Sequence, residues 1–156
     1  MKLKMLLLML FSAFVMQVSA QNYRVSENRV KCVYSDMDGS ITVKAVGEGR
    51  KKKNAKENAR RNAVYAVIFK GVDMSGKGHV NMAEPLVKEI QGEKKYASQL
   101  HEFFEKGGKY SDFVSYADRS AEKILKNDDE VIWEFVLRVE RAKLLQYLKD
   151  EGIVKY

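Results

Sequence analysis

Alanine recurs at positions 55, 59, 63 and 66, at spacings of four, four and three residues, with Val67 alongside. That spacing puts the four methyl groups on one side of an α-helix and predicts a helix from about Arg50 to Phe69. The stripe constrains the fold because its side chains are so small. Alanine there lets the helix backbone approach a sheet closely. Gly47-Glu48-Gly49 punctuates the chain before this helix, and Gly71, preceded by Lys70, ends it.

The sheet partners are legible on either side. Arg29–Tyr34 and Ile41–Val46 read as two strands flanking Ser35-Asp36-Met37-Asp38-Gly39-Ser40, whose Asp-Gly pair suits a hairpin turn. In the second strand Ile41, Val43 and Ala45 point one way, and Thr42, Lys44 and Val46 the other. Val131–Val139 is the strongest strand. There Val131, Trp133, Phe135, Leu137 and Val139 share one face, which argues for a central place in an antiparallel sheet. Asn127-Asp128-Asp129 makes the turn into it. Residues 72–84 read as a loop, Pro85 to about Glu105 as helical with a break near Gln91-Gly92, Phe113–Tyr116 as a short strand and Ala121–Leu125 as a weaker one. Glu140–Asp150 closes the chain as a helix with Leu144, Leu145 and Leu148 inward. The expected fold class is α+β, an antiparallel sheet packed on one face by the long Ala-rich helix and the C-terminal helix.

The amino terminus sets the compartment. Lys2 and Lys4 precede an almost unbroken apolar run from Met5 to Val18, and Val18-Ser19-Ala20 supplies small residues at the −3 and −1 positions of a cleavage site. Residues 1–20 are therefore expected to be a cleaved export signal, leaving 21–156 as a single domain in the periplasm or outside the cell. Removal of 20 of the 156 residues leaves 136, and loss of Lys2 and Lys4 takes the formal charge from +7 to +5. Cys32 is the only cysteine, so no internal disulfide can form, and it lies too far from the signal to be a lipoprotein cysteine. With Val30 and Tyr34 on its side of the first strand, it is expected to act as a small buried hydrophobe.

The motifs that resemble chemistry do not complete it. Gly71-Val72-Asp73-Met74-Ser75-Gly76-Lys77-Gly78 approaches a phosphate-binding loop, but Gly78 stands where a magnesium-holding hydroxyl is needed. Asp36-Met37-Asp38-Gly39 resembles the start of a calcium loop without its closing bidentate glutamate. His79 and His101 have no partner at helical metal-pair spacing, and no nucleophile elbow accompanies them. The chain is expected to be no enzyme, with no catalytic residue, metal or cofactor. A small hydrolase stays as an alternative, requiring His79 or His101 beside a Ser or Asp.

Basic residues concentrate between Arg50 and Arg61. Without interleaved aromatics they do not suit nucleic acid. Arg50, Lys53, Lys56, Arg60 and Arg61 are a candidate patch for anionic lipid or glycan, against the simpler reading of a solvated helix face. Tyr96, Phe103, Phe104, Tyr110, Phe113 and Tyr116 read as core, with a ligand groove as the alternative.

Ile41-Thr42-Val43-Lys44-Ala45-Val46-Gly47-Glu48-Gly49 feeding Ala55, Ala59 and Asn62-Ala63, with a late strand and a helix ending Leu148-Lys149-Asp150-Glu151-Gly152-Ile153, is similar to exported envelope domains of the flagellar assembly protein T amino-terminal type and related small lipoproteins. The resemblance covers about half of the mature chain and rests on structural motifs. It departs from that pattern in lacking the lipoprotein cysteine and in the longer aromatic middle, Pro85–Tyr116. It implies a noncatalytic envelope or assembly role with a protein partner, and it carries over no active-site residues.

Overall fold

The computed structural model describes residues 30–73, 82–126 and 131–155. The expected export signal, the loop containing His79 and most of the near phosphate-loop motif, and the Asn127–Asp129 turn lie outside them.

Strands β1 (Val30–Ser35) and β2 (Ile41–Gly49) form the expected hairpin. Gly39 takes φ 80°, and the turn closes through Asp36 N–H to the Ser40 carbonyl at 2.9 Å. The Ser40 hydroxyl shares its one proton between the carboxylates of Asp38 (2.7 Å) and Asp36 (3.0 Å). The sequence that resembled a calcium loop is thus held by its own serine. A register shift between Cys32 and Tyr34 separates their environments, so Cys32 is half-buried while Tyr34 is 51% exposed opposite Thr42.

Strand β2 outruns its expected end at Val46. It pairs with β6 (Val131–Val139) in nine consecutive registers, from Ile41↔Val139 to Gly49↔Val131. Gly47 and Gly49 are part of the strand because helix α1 (Lys52–Tyr65) lies directly on them. A Cβ on Gly47 would sit 1.8 Å from the Ala55 carbonyl oxygen, and one on Gly49 2.8 Å from the Ala55 nitrogen. Ala55 and Ala59 are fully buried in this contact, and Ala63, one turn further on, is fully buried as well. Asn58 and Asn62 donate side-chain hydrogen bonds to the Glu48 and Val46 carbonyls, both at 2.8 Å, and pin the helix to the strand.

Beyond Tyr65 the helix widens into one π turn, Ala66–Lys70, closed by Gly71 N–H to the Ala66 carbonyl at 2.8 Å. The Val67 and Ile68 carbonyls accept instead from the N–H groups of Leu86 (3.1 Å) and Val87 (2.9 Å). Gly71 stops the helix at φ 75°, where a Cβ would also meet the Ala83 carbonyl.

The expected loop contains two short strands, β3 (Val72–Asp73) and β4 (Met82–Ala83). The sheet order is β4-β3-β1-β2-β6-β5, with β5 at Val114–Lys126. The fold class is α+β, with the long helix and the C-terminal helix as expected. The sheet itself is mixed, because β3 runs parallel to β1 through the single pair Lys31↔Asp73. A two-residue strand leaves no periodic signature in the sequence.

Two further expectations are corrected. The two short strands at 113–116 and 121–125 are one strand, β5, interrupted by a bulge where Tyr116 pairs with Leu137 and Ala121 with Phe135. The helical reading of 85–105 reduces to α2 (Gly92–Lys95) and a 3₁₀ turn at Glu102–Phe104, followed by another at Lys109–Phe113. Gly92 begins a helix instead of breaking one, preceded by Gln91 in the left-handed region at φ 61°. In this segment the large apolar side chains enter the core one by one from irregular backbone.

Helix α3 (Arg141–Asp150) buries Leu144 and Leu148, and Gly152 follows at φ 70°. Tyr147 stacks on Phe103 with centroids 5.3 Å apart. The buried apolar residues of sheet, helices and aromatic segment form one continuous core. No helix among the described residues is long and apolar enough to cross a membrane.

Candidate binding surface on the first helix

The five candidate residues fall into two environments. Arg50, Lys53 and Lys56 are exposed, whereas Arg60 is partly buried and Arg61 is only 9% exposed. They do not make one exposed patch. The difference follows from position along α1, whose N-terminal turns stand clear while its middle passes over β5 and the aromatic segment.

Arg60 donates to the Ser111 carbonyl at 3.0 Å and lies 3.5 Å from the Glu57 carboxylate. The Arg61 guanidinium sits 5.6 Å from the centre of the Tyr110 ring and donates to Asn58. Glu57 binds the whole group together, accepting from the Tyr110 hydroxyl and from the Gly107 N–H at 3.2 Å. Burial pushes the Glu57 carboxyl up, but the two hydrogen bonds and the charges of Arg60 and Arg61 outweigh it and hold the group below its ordinary range. Burial likewise raises the Tyr110 hydroxyl, assisted by its bond to Glu57. These charges tie helix to segment.

A second row on α1 faces the sheet rim. Lys52 lies 4.7 Å over the Trp133 ring and Lys56 4.0 Å over Tyr116, with Arg60 5.9 Å from the same tyrosine. Each such contact contributes about 0.5–1 kcal/mol at a surface. Burial pushes the Tyr116 hydroxyl up to about 12, opposed by Arg60 and helped by Glu57. Lys52 was not among the sequence candidates. Its signal is the spacing 52, 56, 60, one helix face, together with aromatics on β5 and β6.

Arg50, Lys51, Lys52 and Lys53 are exposed at the start of α1, Lys52 with its ammonium over Trp133, and no acidic residue lies in the first turn. That arrangement opposes the helix dipole, whose N-terminal end is already positive.

The remaining candidates have local partners. The His101 side chain is 55% exposed, with Nε2 3.7 Å from Glu105. Arg138 binds Asp38, Asp36 (3.2 Å) and Glu140 (3.7 Å), so the acidic hairpin turn is neutralised by β6. Burial raises the Cys32 thiol, which keeps it protonated. Among the described residues no group of three or more His, Cys, Asp or Glu side chains is arranged to hold a metal ion. Tyr110 is fully buried, and Tyr96, Phe103, Phe104 and Phe113 nearly so, which assigns these rings to the core.

No protein-family model, curated protein or solved structure matches the chain.

Proposed function

We propose that the protein is an exported, noncatalytic binding or assembly module of the bacterial cell envelope. The observation that carries this reading is the amino-terminal sequence: two lysines, an apolar run and a small-residue cleavage site ahead of a 136-residue remainder of the 156. The way this chain uses its ionisable groups supports it, since Glu57, Arg60, Arg61 and Arg138 are engaged in holding elements together. Fractionated cells analysed by intact-mass spectrometry test the reading. The expected species begins near Gln21 and is found in the envelope or medium. A cytosolic polypeptide still beginning at Met1 refutes it.

The run of cations at the start of α1 favours a second reading, a contact with anionic lipid or glycan. Four adjacent positive charges at the positive end of a helix destabilise the chain alone and are relieved by an anionic surface. Co-sedimentation with phosphatidylglycerol vesicles, weakened by salt and lost in Lys51→Glu/Lys53→Glu, is the expected result. Binding that ignores both salt and the charge reversal removes this reading and leaves the first untouched.

A further inference from the structure

The face of the sheet turned away from α1 carries an organised charge pattern. Register places Lys31 of β1 directly opposite Lys44 of β2, and Glu122 of β5 directly opposite Glu134 of β6. All four alternate with the core-facing Val43, Ala45 and Phe135, so they project from the other side. Lys31, Lys44 and Glu122 are exposed. Like charges directly opposite one another destabilise a sheet, yet this face has two such pairs. One salt bridge crosses between them, from Lys44 to Glu134 at 2.9 Å. Lys31 and Lys44 thus lie on β1–β2 and Glu122 and Glu134 on β6–β5, with Asp73 of β3 in register with Lys31 at the outer edge. Glu48 and Arg138 lie near its two ends, and Arg138 is already neutralised by the hairpin turn. Val46, Ile132 and Val136 are half-buried between the charges, and Tyr34 is half-exposed beside them.

We propose that a second copy of this chain covers this face, in a two-fold dimer whose axis runs parallel to the strands. Rotation about that axis lays β1–β2 of one copy over β6–β5 of the other, and each lysine pair then stands two residues along the strands from a glutamate pair, the offset that the Lys44–Glu134 bridge already spans within one sheet. A two-fold axis across the strands would instead set lysines on lysines and glutamates on glutamates. The charge pattern therefore selects both the occupant and the axis. The area is of the right order. Four strands about 4.8 Å apart, with nine residues along β6 at about 3.4 Å each, give a footprint of roughly 600 Å², against about 800 Å² per partner in a standard stable interface. Sheets meeting this way pack about 10 Å apart with strands about 30° from aligned.

The test uses protein purified after expression of the full-length sequence. Sedimentation velocity is expected to show a dimer that dissociates as salt rises. Lys31→Glu/Lys44→Glu makes all four paired positions anionic, and Glu122→Lys/Glu134→Lys makes all four cationic. Each variant alone is expected to dimerise at least tenfold more weakly, and an equimolar mixture to recover the dimer. Wild-type protein that stays monomeric at high concentration overturns the proposal, as does a mixture of folded variants that stays monomeric, or variants that dimerise as well as wild type. Carbodiimide crosslinking of the wild type keeps the test open if the variants fail to fold. A link between Lys31 and Glu122 in the band of twice the chain mass supports the arrangement, and a double-mass band linked only through other residues overturns it.

Discussion

The joint between α1 and β2 and the aromatic segment from Glu84 to Phe113 fill the same core with opposite materials. At the joint, Ala55 and Ala59 sit on Gly47 and Gly49, and the contact is completed by two asparagines bonding to backbone carbonyls. In the segment, Phe103 touches the rings of Phe104, Tyr110, Phe113 and Tyr147, with centroids between 4.9 and 6.5 Å apart. The first contact depends on nothing being in the way. The second depends on large surfaces meeting at suitable angles, with backbone geometry following the side chains.

The largest effect is expected where the rings meet. Phe103→Ala removes a side chain shared by four aromatic neighbours and should cost about 4 kcal/mol in urea denaturation. Hydrogen exchange should then accelerate across residues 96–113 before it does in α1. Simultaneous loss of protection in both regions would show that they unfold as one unit and would erase the distinction. Gly47→Ala should follow at about 3 kcal/mol, since its methyl group meets backbone that cannot turn aside. Here α1 and β2 are the elements expected to loosen first. A neutral result would mean that the helix rides higher on the strand than the contact distances state.

The smallest effect probes the link between the regions. Because the Glu57 carboxyl is held below its ordinary value of 4.5, its ties to Tyr110 and Gly107 contribute fully above about pH 4.5 and weaken as pH falls through the folded-state value. Tyr110→Phe should lower stability by about 1 kcal/mol at pH 7 and flatten the acid side of the stability profile. An unchanged acid limb would assign acid sensitivity to other carboxylates.

The same contrast explains what the sequence made legible. Alanine at 55, 59 and 63 repeats with the helix period, and Val131 to Val139 alternates with the strand period, so both elements announce themselves. The segment 85–113 has apolar residues at 96, 100, 103 and 104 that mimic a helix face, but Gln91 in the left-handed region and two 3₁₀ turns bend the chain so that each ring finds its own place. Such geometry is set by tertiary contact and has no local period. The basic candidates divide for a related reason. Arg50 and Arg61 look alike in sequence, but one lies where the helix is clear of neighbours and the other where it passes over Tyr110. Lys52 does not stand out among its basic neighbours because its partner, Trp133, is eighty-one positions away in the chain.

The π turn after α1 has an engineering consequence. Its wider spacing hands the Val67 and Ile68 carbonyls to Leu86 and Val87, and β3 pairs with β4 just beyond, so the chain leaving at Asp73 and the chain returning at Met82 are clasped twice. The two clasps hold Asp73 and Met82 side by side, so both ends of the connection between them are fixed by residues outside it. That fixed exit and entry, at the edge of the sheet away from β5, makes it the place at which to test an inserted reporter.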